Sequence, residues 1–112
     1  MKKIEAIIRK SRFNDVKDNL HDIEVNFFTY WDVTGVGNEK KGKVYRGISY
    51  STSDIQRRYI SIIVSDEFEE KTIKAIIEAA KTGEVGDGKI FVSDIQNTYR
   101  IRTEEKGDQA LN

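Results

Sequence analysis

From Lys3 to Arg9 the aliphatics Ile4, Ala6 and Ile8 alternate with Lys3, Glu5, Ile7 and Arg9, the period-two pattern of a half-buried strand. Ile7 interrupts the polar face, either as a surface aliphatic or as support for a flat ligand such as a base. Phe13, Val16, Leu20 and Ile23 recur at spacings of three, four and three. That spacing predicts a short amphipathic helix with Ser11 or Asn14 at its start and an end near His21 and Asp22. His21 reads as a residue of that solvated end rather than as a catalytic group, because no titratable partner accompanies it.

Val25 to Thr34 carries Val25, Phe27, Thr29, Trp31 and Val33 on one parity and Asn26, Phe28, Tyr30, Asp32 and Thr34 on the other. This predicts a long strand covered on both faces, by helices on one side and by another subunit on the other. Tyr59 to Val64 reads as a central strand. Ser65 and Asp66 follow as helix caps, with Glu69 completing a capping box; Ile73, Ile76, Ile77 and Ala80 form the expected buried stripe, and Gly83 stops the helix. Lys89 to Val92 is a fourth strand and Thr98 to Arg102 a fifth, joined through the turn formers Ser93, Asp94 and Asn97. The charged tail from Thr103 is expected to be mobile in isolation. Strand, helix, strand, strand, helix, strand is the α+β, ferredoxin-like βαββαβ order.

The 112 residues fit one domain, and 19 Lys and Arg balance 19 Asp and Glu, so a whole-chain basic footprint for nucleic acid or anionic lipid is missing. Any anion site must be local. With no Cys and one His, disulfides, thiolate ligands and a His-built zinc site are excluded. No apolar run approaches the roughly 20 residues of a spanning helix, and Met1 to Lys10 lacks the pattern of a signal peptide. The expectation is a soluble, cytoplasmic protein.

Three features suggest an anion site. Gly83-Glu84-Val85-Gly86-Asp87-Gly88-Lys89 fits GxxxxGK, but Ile90 stands where a P-loop needs Ser or Thr, and a strand follows instead of a helix. What survives is a glycine turn whose amides form an anion nest beside Lys89, or glycines that merely join helix to strand. Gly35-Val36-Gly37 marks a turn at most. Arg100-Ile101-Arg102, read as a strand, points two guanidinium groups to one side, suited to phosphate or simply solvated. The 24 residues from Gly35 to Arg58 have little apolar pattern, and a loop that long implies binding or regulation.

Thr82 to Val92, with its Thr-Gly-Glu-Val-Gly-Asp-Gly-Lys-Ile-Phe-Val run, and Tyr45-Arg46-Gly47-Ile48-Ser49-Tyr50 resemble the B-loop and T-loop signatures of the PII nitrogen-regulatory proteins. Met1 to Ile8 and Arg100 to Thr103 also read as sequence of that family. The resemblance implies one domain over 1–112, with a T-loop at about 36–56, a B-loop at about 82–90 and a C-terminal loop at about 100–112, assembled as a homotrimer. It implies a non-enzymatic sensor that binds ATP or ADP between subunits and reshapes the T-loop to regulate an ammonium transporter or a nitrogen-assimilation enzyme. A membrane would then be met only through the partner. On this likeness Ile7 and Thr29 lie around the adenine, and Asn38, Ser61 and Ile63 join the nucleotide site. Gly35 and Gly37 open the T-loop. Gly86, Asp87, Gly88 and Lys89 take the phosphates, and Arg100 and Arg102 reach a site shared with a neighbour. Tyr45, Arg46 and Tyr50 contact the partner, with Arg46 as the main contact and Tyr50 also a candidate for modification.

Asn38-Glu39 replaces the family's usual Arg-Gln, removing one phosphate contact. Glu39 offers oxygen to the Mg²⁺ of Mg-ATP, yet its charge opposes 2-oxoglutarate. Arg57 stands where a Lys pairs with that effector, and Ser51-Thr52-Ser53 replaces aliphatics in a loop one residue short and without its proline near Gln56. The alternatives are a divergent sensor of another small molecule, or an ATP-hydrolysing enzyme.

Overall fold

A computed structural model of the chain describes residues 1–37, 44–45, 48–49 and 54–111. Strand β1 (Lys2–Ile8) buries Ile4, Ala6 and Ile8, as its alternation requires. A 3-10 turn at Lys10–Arg12 leads into helix α1 (Phe13–Asp22), which buries Phe13, Val16 and Leu20. Neither Ser11 nor Asn14 caps this helix: its N-cap is Arg12, without a side-chain bond. The tight entry turn, with the Arg12 N–H donating to Arg9 O at 3.0 Å, takes the place of a side-chain cap.

Strand β2 (Thr29–Val36) begins later than the apolar pattern suggests. The exit turn of α1 reaches Val25, whose N–H donates to Leu20 O at 2.8 Å, and this tucks Val25 into the core. A two-residue ribbon pairs β3 (Val44–Tyr45) with β4 (Ile48–Ser49). Strand β5 (Asp54–Val64) starts five residues before Tyr59, because main-chain pairing with β2 continues to Val36 opposite Asp54.

Ser65 precedes a 3-10 turn at Asp66–Phe68, and helix α2 (Glu69–Ala80) follows with no side-chain cap bond. Asp66 forms no capping box with Glu69. Its carboxylate accepts from the Met1 amine at 2.8 Å, which holds its pKa below the usual range. The helix buries Thr72, Ala75, Ile76, Ala79 and Ala80, while Ile73 is partly buried and Ile77 exposed. The stripe is thus rotated from the expected one, because the alanines let the helix approach the sheet and α1 closely. Strand β6 (Lys89–Asp94) closes the element order.

The four long strands form one antiparallel sheet in the order β2-β5-β1-β6, with the two helices on one face. This is the expected α+β, ferredoxin-like βαββαβ arrangement. The predicted fifth strand does not form. Arg100 N–H donates to Glu105 O and Glu104 N–H to Arg100 O, both at 2.8 Å, so the chain reverses direction, and an isolated bridge joins Tyr99 to Lys106. The tail carries a 3-10 turn at Gly107–Leu111.

Candidate functional site

Residues paired across neighbouring strands share a face, so the helix-free face carries Ile7, Tyr59 and Trp31 in one row and Glu5, Ser61 and Thr29 in the next. Trp31 stacks on Tyr59 with centroids 4.6 Å apart. The Tyr59 hydroxyl donates to the Glu5 carboxylate, which raises the Tyr59 pKa. Among the described residues no helix covers this face, and Trp31 and Phe91 are both exposed on it.

At its Ile7 end the face opens into a cleft of about 570 Å³. Ile7 and Phe91 form one side, Gly35, Val36 and Gly37 another, and Val85, Gly86, Gly88 and Lys89 the floor, with Arg57 and Ile55 at the margin. Gly86 and Gly88 adopt φ of 105° and 103°, the region that excludes most side chains. Gly88 is further constrained, since a Cβ there would lie 1.7 Å from Ile7 O. Strand pairing at the start of β6 therefore requires glycine.

The turn is held from inside. The Asp87 carboxylate accepts from the Thr82 hydroxyl, from Thr82 N–H at 2.8 Å, from Gly83 N–H at 2.9 Å and from Arg9 Nε at 3.1 Å. These donors, the Thr82 hydroxyl foremost, hold its pKa well below the usual carboxylate range. Arg9 also donates to Val85 O at 3.1 Å. Among the described residues the N–H groups of Val85, Gly86 and Gly88 have no acceptor, and Lys89 is exposed without a carboxylate partner. Such a set of amides beside an ammonium is an anion nest.

Ile7, Gly35, Gly37, Arg57, Gly86, Gly88 and Lys89, all expected site residues, thus meet in one cleft. Asp87 sits in the same turn, with its side chain directed into the loop. Thr29, Ser61 and Ile63 share the open face but lie outside the cleft. Arg100 and Arg102 are not brought to it. They follow the Asp94 end of β6, which pairs with Lys2, whereas Lys89 pairs with Ile7; five residues of strand separate the ends by roughly 17 Å. Nor do they form a parallel pair of forks. Arg100 donates to Glu105 at 2.7 Å and to Gln109 O at 3.2 Å, and Arg102 is exposed on the turn. Asn38, Glu39, Arg46 and Tyr50 lie outside the described residues, as does the side chain of Tyr45. Pattern reading missed Arg9, which looks like one more polar-face residue of β1. The available signal was Asp87 between two glycines, a carboxylate beside an anion site that needs a cation.

Among the described residues no helix is long and apolar enough to cross a membrane, and no cluster of carboxylate and imidazole groups could hold a metal. The family model described as "Nitrogen regulatory protein P-II" matches residues 1–105. The chain is 41% identical over 112 residues to nitrogen regulatory protein P-II of Pasteurella multocida, covering 99% of this chain and 100% of that one. It is 46% identical to the P-II protein of Pyropia yezoensis with the same coverage. The crystal structure of Arabidopsis thaliana PII bound to citrate superposes with a TM-score of 0.80 at 34% identity, covering 98% of this chain and 88% of that one. Full-length identity above 40%, the shared fold and the glycine turn at the cleft lead to one assignment: the chain belongs to the P-II family of nitrogen regulatory signal-transduction proteins.

Proposed function

We propose that this chain is an adenine-nucleotide sensor, a regulator rather than an enzyme. It binds ATP or ADP in the Lys89 cleft and signals through the segment 36–56 to a protein of nitrogen metabolism, an ammonium transporter or a nitrogen-assimilation enzyme. The observation that carries the reading is the set of unpaired amides at Val85, Gly86 and Gly88 beside Lys89, in a cleft that also holds the apolar side chains of Ile7 and Phe91. Phosphates fit the amides and the ammonium; a base fits the aliphatic and aromatic wall.

The same geometry supports a homotrimer with sites between subunits. The cleft is half of a site, and the arginines expected to complete it stand at the far end of the sheet, beside Ile101, which is 97% exposed. A neighbouring copy on the uncovered face would bring Arg100 and Arg102, together with Thr29, Ser61 and Ile63, to the nucleotide. In this reading 82–90 is the phosphate loop and 100–112 the arm that reaches across. Mg²⁺ binds with ATP through Glu39, and the Glu39 charge disfavours 2-oxoglutarate despite Arg57. Tyr45, Arg46 and Tyr50 face the partner, with Tyr50 open to modification. The protein works in the cytoplasm and meets a membrane only through that partner.

Isothermal titration with ATP and ADP, with and without Mg²⁺, tests the proposal. Saturable binding by a trimer is expected, and Lys89→Ala should weaken it at least tenfold, because one charge-assisted bond to phosphate contributes about 1.5 to 3 kcal/mol. 2-Oxoglutarate should leave Mg-ATP affinity unchanged. Full affinity in a folded Lys89→Ala trimer would overturn the site.

A further inference from the structure

The anion nest contains a carboxylate. Asp87 lies between Gly86 and Gly88, and an uncompensated negative charge there would repel any phosphate that approached the surrounding amides. Two features remove the conflict. The side chain turns inward, where Thr82 and Gly83 donate to it, and Arg9 arrives from the end of β1 to donate Nε to Asp87 at 3.1 Å and Nη2 to Val85 O at 3.1 Å. One guanidinium therefore grips the turn at two points, on the carboxylate and on the carbonyl that precedes Gly86. Lysine has no fork with which to hold both.

We infer that Arg9 is a positioning residue for the phosphate turn: it neutralises Asp87 and fixes the Val85 carbonyl so that the amides of Val85, Gly86 and Gly88 present themselves to an anion. This deepens the nucleotide reading given above and rests on it for the ligand. Arg9 itself acts through Asp87 and Val85 rather than on the phosphate. Thr82 is the third member of the clamp, since its hydroxyl both donates to Asp87 and accepts from Glu84 N–H at 3.2 Å.

Charge compensation predicts a reversal of sign. In the unmodified protein Asp87→Asn loosens the clamp and weakens ATP binding. In an Arg9→Gln background Asp87 is an unopposed charge, so adding Asp87→Asn strengthens binding relative to Arg9→Gln alone. Titration calorimetry should give about a tenfold loss for Arg9→Gln, partial recovery in Arg9→Lys, and a severalfold gain on adding Asp87→Asn to Arg9→Gln. A role in stability alone would give no such reversal. Wild-type affinity in Arg9→Gln, or further loss in the double variant, would overturn the inference. Amide hydrogen exchange on the ligand-free protein separates this from the nucleotide proposal. The Thr82 and Gly83 amides should be protected in the wild type, exposed in Arg9→Gln and partly protected again in Arg9→Lys. Unchanged exchange would refute the clamp, whereas failure of the wild type to bind either nucleotide would refute the ligand assignment and leave exchange to decide the clamp.

Discussion

Thr72 places a hydroxyl in an aliphatic setting. It is fully buried in the α2 stripe beside Ala75 and Ile76, and its Oγ1 has no hydrogen-bond partner among the described residues. Burying an unpaired hydroxyl costs about 1 to 3 kcal/mol, and valine keeps nearly the same shape without it. Thr72→Val should therefore raise the free energy of unfolding by about 1 kcal/mol in urea titration. A loss of stability would mean that the hydroxyl is satisfied in solution. Single residues were unevenly legible in the sequence. Ile4, Ala6 and Ile8 announced their burial by parity, whereas Thr72 did not, because a polar residue enters a core only through the phase of the helix that carries it. Arg9 was hidden for a related reason: its parity states which face it leaves, and its partner lies 78 residues away.

At the scale of elements, the turn between α2 and β6 behaves as a unit stapled by one ionised side chain. The Asp87 carboxyl titrates lower in the folded turn than the value near 3.9 of an unfolded chain. Its contribution is therefore complete above that value and is lost as pH falls below it toward the folded value. Melting temperature measured from about pH 5 to about pH 3 should fall more steeply for the wild type than for Asp87→Asn. Parallel curves would show that the carboxylate contributes nothing to acid stability. Asp32, held low chiefly by Lys10, and Asp66, held low chiefly by the Met1 amine, remain in both proteins, so the difference isolates the turn. Strand and helix order could be read from period alone, but element boundaries could not. Both helices enter through 3-10 turns that leave no apolar signature, and β5 gains its first residues from main-chain bonds to β2 that are indifferent to side-chain polarity. Arg100 to Arg102 looked like strand and became a turn, because Arg100 finds Glu105 and the Gln109 carbonyl close by in its own tail.

For the whole molecule, Gly86, Gly88 and Lys89 of the cleft were visible in the sequence because each has a local requirement, a positive φ or a free charge. The separation of that cleft from Arg100 and Arg102 was not, since it depends on which ends of β1 and β6 lie opposite one another. If each site takes Lys89 from one copy and Arg102 from the next, two damaged chains can repair each other. Lys89→Ala and Arg102→Ala proteins, each deficient in ATP binding, should regain part of it when co-expressed. In mixed rings roughly one site in four would combine the sound half of each. Mixing the purified proteins without subunit exchange should restore nothing. The expected outcome is complementation between two alleles of a single coding sequence, scored by ATP retained on tagged hetero-oligomers.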